Sequence, residues 1–286
     1  MGVARLGTDL YAVDGVDSHV DLSVGPSAFE VRTRSLTLKF LEMKLVGLTG
    51  GICCGKSTVV DILRSIDASH CLRDRSDRPV RLGIVDCDLI ARDVVQPGAW
   101  GYRRVVRAFG PSVLQADGKL DREKLGSLVF SDAAARKRLN AATHLPILVR
   151  MLTQIAWMWL WERSQIVVVD MPLLYEIGFE RFTSPYTVVV ACRPETQVAR
   201  LERRDRLSRE QAQARVDAQM KIEKKVEMAD YVLDNDGVEM ASLEEAVEAV
   251  FGVILRDGRV GKGWWVAGFF TVAMFGFVKC LTMIGR

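Results

Sequence analysis

The run Gly50-Gly51-Ile52-Cys53-Cys54-Gly55-Lys56-Ser57 fits G-x-x-x-x-G-K-[ST], a spacing that wraps a loop around phosphate. Glycines let the backbone approach closely, so successive N–H groups and a helix N-terminus face the anion. In such a loop Lys56 reaches the β- and γ-phosphates of ATP, Ser57 holds Mg²⁺ through its hydroxyl, and Thr58 extends the nucleotide-binding set. Cys53 and Cys54 are small residues that fit the loop; the alternative is a redox-sensitive loop, because a thiol near a helix N-terminus loses its proton more readily. Asp86-Cys87-Asp88 supplies two carboxylates suited to positioning and deprotonating a hydroxyl acceptor or supporting a metal. The plainer reading of Asp88 is a helix cap. Asp170 closes a further apolar run, where a carboxylate supports Mg²⁺ through water in many phosphate-loop proteins.

Groups so scattered need a scaffold that returns them to one edge. Residues 44–49 form a short apolar run ending in glycines, and 56–66 place Val59, Val60, Ile62 and Leu63 at helical spacing. Further apolar strands are expected at 82–85, 166–169, 187–191 and 231–233, separated by helical stretches. Alternation of this kind predicts an α/β fold, a P-loop NTPase-type parallel sheet with flanking helices. Its carboxyl edge is where such sheets bind ligands, and Asp86-Cys87-Asp88 ends the second strand. Residues 90–163 are too long for one crossover and predict a helical subdomain. The Arg-rich block 195–228 predicts a helical lid that closes over phosphates, against the alternative of a solvated helix with internal ion pairs. Residues 67–81, polar and with Pro79, read as an exposed insertion.

Composition narrows the class. Of 286 residues, 39 are basic and 36 acidic, so no overall field marks a nucleic-acid binder, a class that usually shows a concentrated basic face; a local basic patch is the alternative. Six cysteines, at 53, 54, 71, 87, 192 and 280, show no CxxC pair and no histidine cluster, which argues against a zinc site or a disulfide framework and for a reducing compartment. The first 21 residues carry Asp9, Asp14, Asp17 and Asp21, so they do not read as a secretory signal. Met43 stands directly before the first strand, and residues 1–42 are read as an extension dispensable to the enzyme or not translated. At the other end, 263–278 is uncharged and rich in Trp, Phe and Val. Preceded by Arg256, Arg259 and Lys262 and starting with Trp264 and Trp265, the stretch 264–284 is expected to anchor the chain in a membrane if Lys279 snorkels. A buried C-terminal helix is the alternative. The anchored reading puts the enzyme inside the cell, its domain facing the cytosol, with a mitochondrial membrane among the options.

Between Met43 and Val253 the chain resembles the dephospho-coenzyme A kinase family. The resemblance runs through Val46-Gly47-Leu48-Thr49-Gly50-Gly51-Ile52, Asp86-Cys87-Asp88-Leu89-Ile90-Ala91-Arg92 and Gln96-Pro97-Gly98. It continues in Leu120-Asp121-Arg122, in His144 near Pro146, and in Val169-Asp170-Met171-Pro172-Leu173-Leu174-Tyr175-Glu176. Arg200-Leu201, Arg204-Asp205, Ala214-Arg215, Gln219, Ala229-Asp230 and Asn235 complete it. The tail is similar to the C-terminal extension of eukaryotic single-function members.

This resemblance implies transfer of the ATP γ-phosphoryl group to the ribose 3′-hydroxyl of dephospho-CoA. It implies a kinase domain over residues 43–255, Asp88 as base, Asp86 assisting it or the metal, Arg204 on the transferring phosphate and Asn235 near the adenine. Arg92, His144, Pro172, Leu173 and Leu174 would line the acceptor site; Ser57, Asp86 and Asp170 would support Mg²⁺. The family usually has Gly or Ala, then Ser, where Cys53-Cys54 stand, and His-Pro where this chain has His144-Leu145-Pro146. Rival readings are another small-molecule P-loop kinase, such as a nucleotide or shikimate kinase, and a membrane-tethered NTP switch. Asp234-Asn235-Asp236-Gly237 fits DxxG, but no NKxD motif accompanies it.

Overall fold

The computed structural model describes residues 43–259 except residue 75; the extension 1–42 and the anchor 264–284 lie outside the described residues. Five parallel strands, β1 (Lys44–Gly50), β2 (Leu82–Asp86), β3 (Ile166–Asp170), β4 (Thr187–Ala191) and β5 (Tyr231–Asp234), form one sheet in the order β2-β3-β1-β4-β5. All of β1 and β3 is buried, as their unbroken apolar runs require of strands covered on both faces. β5, at the edge, leaves Val232 exposed.

After β1 comes α1 (Lys56–Ser69), which buries Val59, Val60, Ile62, Leu63 and Ile66 and packs against α10 (Met240–Arg256). The segment after α1 is less exposed than its polarity implies. Leu72 and Val80 are buried, Arg73 and Pro79 form a β-bridge, and the Asp67 carboxylate accepts from Leu82 N–H at 2.8 Å. Two apolar side chains and one carboxylate seat this loop on the domain.

Between β2 and β3 the chain is helical: α2 (Cys87–Asp93), α3 (Trp100–Phe109), a 3₁₀ turn, α4 (Arg122–Ser131) and α5 (Ala133–Leu160). These helices share a small core of Val105, Val113, Leu120, Leu125 and Ala142. Pro146 lies inside α5 and has no N–H to give the carbonyl four residues earlier, that of Ala142. Arg104 of α3 replaces that donor, reaching Ala142 O at 3.0 Å and Ala141 O at 2.8 Å. An orphaned buried carbonyl costs about 1–3 kcal/mol, so the proline also fastens α3 to α5.

Past β3 come α6 (Glu180–Thr183) and β4, then α7 (Pro194–Asp205), α8 (Arg209–Asp217) and α9 (Ile222–Met228). Ser208 and Gln211 form a capping box that starts α8. Val198, Leu201 and Ala212 bury a third cluster, against which Ile52 and Cys53 of the glycine loop pack. At the amino edge of the sheet Lys44, buried, donates from Nζ to Asp257 O (2.8 Å), Arg259 O (2.7 Å) and the Tyr186 hydroxyl (3.0 Å). Among the described residues no helix is long and apolar enough to cross a membrane.

Candidate active site

The glycine loop joins β1 to α1, so the N-terminus of α1 faces whatever the loop encloses. Gly55 has φ +90°, and a Cβ there would lie 2.0 Å from the Asn235 Nδ2 atom. That amide donates to Cys54 O at 2.8 Å, so only glycine fits between the loop and the end of β5. Asn235, expected near the adenine, holds the loop backbone in this structure. Arg200 braces the same place, donating to Cys53 O (3.3 Å) and Asn235 O (2.9 Å). From the segment between α8 and α9, the Gln219 Oε1 atom accepts from Ile52 N–H at 3.1 Å. Cys53 sits at φ +57°, the left-handed region.

The loop cysteines differ in character. Burial pushes the Cys53 thiol up, although the Arg204 charge acts against it. Cys54 is buried with its sulfur 3.4 Å from that of Cys192, just past β4. The Cys192 thiol donates to it, which lowers the Cys54 pKa and raises that of Cys192.

Across the sheet edge, Asp86 and Asp170 are direct partners in the β2–β3 register. Lys56 Nζ pairs with Asp170 Oδ1. Burial raises the Asp170 pKa and the Lys56 charge opposes it; the Asp86 and Asp88 charges raise it further, so the three carboxylates share one electrostatic neighbourhood. Their local roles diverge. Asp86, rather than Asp88, is the helix cap, accepting from Leu89 N–H at 2.8 Å to start α2. Asp88 stands exposed in the first turn, and among the described residues its carboxylate makes no hydrogen bond or ion pair. Cys87 between them turns inward onto Met151 of α5, sulfur to sulfur at 3.8 Å, and burial pushes its thiol up to about 12.

Met151 locates His144. Seven residues are about two turns of helix, so His144 and Met151 share a face of α5, the face that packs beneath Cys87. His144 is exposed on it, as is Arg92 on α2, and neither side chain has a partner among the described residues. After β3 the chain turns sharply. Leu173 is 47% exposed, but Leu174 is fully buried and a Cβ on Gly47 would lie 2.6 Å from its Cδ1 atom. Leu174 is therefore a core residue that cannot line the acceptor site, a correction to the sequence expectation.

Lys225 of α9 escaped the sequence reading. Fully buried, it pairs with Glu176 Oε1 at 3.0 Å and donates to Pro172 O (3.0 Å) and Gly50 O (3.4 Å). Thr49 Oγ1 also donates to Pro172 O at 3.0 Å, so the Pro172 carbonyl serves as a junction between loop and lid. A lysine in a charged helix gave no local signal that it would be buried. Arg204, expected on the transferring phosphate, is exposed and held by Asp205 at 2.8 Å; Asp205 also takes Arg215 at 2.7 Å. Ser57 is exposed and Thr58 half-buried at the start of α1.

A family model described as dephospho-CoA kinase matches residues 44–240. A dephospho-CoA kinase of Bacillus anthracis is 40% identical over 198 residues, 69% of this chain and 91% of that protein. One from Arabidopsis thaliana is 41% identical over 214 residues, 75% of this chain and 85% of that protein. The crystal structure of TT1252 from Thermus thermophilus superposes with a TM-score of 0.60 at 31% identity, covering 73% of this chain and 97% of the other.

Proposed function

Because the chain belongs to the dephospho-CoA kinase family, we propose that Asp88 accepts the proton of the ribose 3′-hydroxyl as that oxygen takes the γ-phosphoryl group of ATP. The protein is an ATP-dependent kinase that converts dephospho-CoA to CoA, with release of ADP. One observation carries the assignment of the base. Of the three carboxylates at the sheet edge, Asp86 caps α2 and Asp170 holds Lys56, which leaves Asp88 free to meet a hydroxyl.

The phosphates of ATP sit against the N–H groups of the loop 50–57 and the N-terminus of α1. Lys56 exchanges Asp170 for the β- and γ-phosphates, and Arg204 leaves Asp205 for the transferring group as the lid closes. His144, Arg92, Pro172 and Leu173 border the acceptor. Arg200 and Asn235 contribute by fixing the loop backbone.

The described residues contain no group of three or more His, Cys, Asp or Glu that would hold a metal by itself. Mg²⁺ fits such a site when phosphates and water supply most of its oxygens. The Ser57 hydroxyl would hold it directly, and Asp86 and Asp170 through water; the chemistry so supplied would be neutralisation of charge on the phosphates. Burial raises the Asp170 pKa and the neighbouring Asp86 and Asp88 charges raise it further; that repulsion between carboxylates is what a cation would relieve.

The Asp88→Asn variant tests the base. Its kcat should fall about 10²- to 10⁴-fold with ATP affinity and melting temperature unchanged, and a near wild-type kcat would remove Asp88 from the mechanism. For residues 264–284 the hydropathy supports a membrane anchor on an intracellular enzyme. Deleting residues 260–286 keeps Asp257 and Arg259, which bind Lys44; an anchor predicts release of the active enzyme into the soluble fraction.

A further inference from the structure

Two thiols that the chemistry above does not use meet beneath the glycine loop. Cys54 stands in the loop after β1, and Cys192 just past the end of β4, the strand that pairs with β1 as far as Gly50 and Val190. Neighbouring strands thus deliver both side chains to one spot, sulfur to sulfur at 3.4 Å, with both residues buried. Each backbone is held. The Cys54 carbonyl accepts from Asn235 at 2.8 Å, and the Cys192 carbonyl accepts from the buried Gln197 side chain at 3.4 Å. A Cβ on Gly51 would lie 2.9 Å from the Cys54 sulfur, so that sulfur fills the floor of the loop.

The other described cysteines are placed differently. Cys87 packs on the Met151 sulfur with its thiol pushed up to about 12, Cys71 is exposed beside Ser69, and burial pushes the Cys53 thiol up. The hydrogen bond from the Cys192 thiol lowers the Cys54 pKa against the effect of burial, and the Arg200 charge adds to the lowering. A thiolate reacts with an oxidant where a thiol does not, and a second sulfur already in contact can resolve the product.

We propose that Cys54 and Cys192 form a reversible disulfide under hydrogen peroxide, and that this bond draws the glycine loop out of the shape that binds ATP. In the first step the Cys54 thiolate attacks peroxide: an S–O bond forms, the O–O bond breaks, and the hydroxide released takes up a proton to become water. In the second, the Cys192 sulfur attacks the Cys54 sulfenic acid; the S–S bond forms, the S–O bond breaks, and the Cys192 proton leaves with the hydroxyl as water. Two thiols are oxidised and one peroxide is reduced to two waters. Peroxide is close to water in size, and its way in is the loop, where Gly51, Ile52, Cys53 and Gly55 around the buried sulfur are only half-buried.

A disulfide holds its sulfurs about 2.05 Å apart, so the pair must close by about 1.4 Å. Cys192 is fixed to the sheet, because the carbonyl of Ala191 before it accepts from Asn235 N–H at 2.8 Å; the loop is the part that moves. A shift of about 1 Å in groups that position a substrate costs about 10²-fold. The proposal rests on the reading of residues 50–57 as the seat of the ATP phosphates.

The test treats full-length enzyme with hydrogen peroxide and reads the non-reduced peptide map by mass spectrometry beside steady-state kinetics with ATP varied. The expected product is a peptide joining Cys54 to Cys192, lighter than its two parts by two hydrogen atoms. With it, kcat/KM for ATP should fall about 10- to 100-fold and return on addition of dithiothreitol. Cys192→Ser and Cys192→Ala should match the wild type before treatment and keep their activity after it, whereas Cys71→Ser should stay sensitive. A map without the Cys54 to Cys192 link, an equal loss of activity in the Cys192 variants, or a link that leaves the ATP kinetics unchanged would overturn the proposal. The underlying reading is checked separately: a Lys56→Ala variant that binds ATP as the wild type does removes the ATP site from the loop, whatever the peptide map shows.

Discussion

The nucleotide side of this molecule is tied down and the acceptor side is not. On the first, every turn of the glycine loop is braced from far along the chain: Asn235 on Cys54 O, Arg200 on Cys53 O, Gln219 on Ile52 N–H, Lys225 on Gly50 O. On the second, Asp88, Arg92 and His144 are exposed and have no side-chain partner among the described residues. The difference follows from what each side must bind. A triphosphate is gripped through backbone amides, whose positions require a fixed loop. On the proposed assignment, a flexible acceptor with a long arm would be gripped through side chains that find their partners when it arrives.

If that contrast is right, substitutions on the braced side should cost stability as well as activity, and those on the open side activity alone. The largest effect is expected at Lys225. Lys225→Met takes the cation from Glu176 and a donor from each of the Pro172 and Gly50 carbonyls; because Glu176 keeps some solvent contact and Pro172 O keeps the Thr49 hydroxyl, about 3 kcal/mol should be lost in chemical denaturation, together with ATP binding. Next comes Asn235→Ala, which orphans Cys54 O. A loss of about 1–3 kcal/mol and a KM for ATP raised about tenfold are expected. His144→Ala, its counterpart across the site, should leave the melting temperature unchanged while the KM for dephospho-CoA rises a few-fold. Equal destabilisation by Asn235→Ala and His144→Ala would erase the contrast.

The same division governs what could be read from the sequence. The strands were legible because a sheet covered on both faces demands apolar runs, and 166–169 and 187–191 each carry three consecutive valines. The glycine loop and the Asp86–Asp88 pair were legible because each is a local pattern at a strand end. The braces were not, since Lys225 reaches Gly50 across 175 positions and Asn235 reaches Cys54 across 181. Long-range hydrogen bonds leave no periodicity. Orientation within a turn was lost too: Leu173 and Leu174 are adjacent and identical, yet one faces solvent and the other the core. So was the choice of cap, because Asp86 and Asp88 are the same residue type and the start of α2 decides between them.

The Lys44 clasp has a consequence for how the enzyme is held. By binding the carbonyls of Asp257 and Arg259, it brings the chain at residue 44 and at residue 259 together at the edge of the sheet where β1 begins. The phosphate loop and Asp88 lie at the opposite edge, where β1 and β2 end. The chain therefore enters the described domain at residue 44 and leaves it at residue 259 on the back of the sheet, the side opposite the mouth of the site.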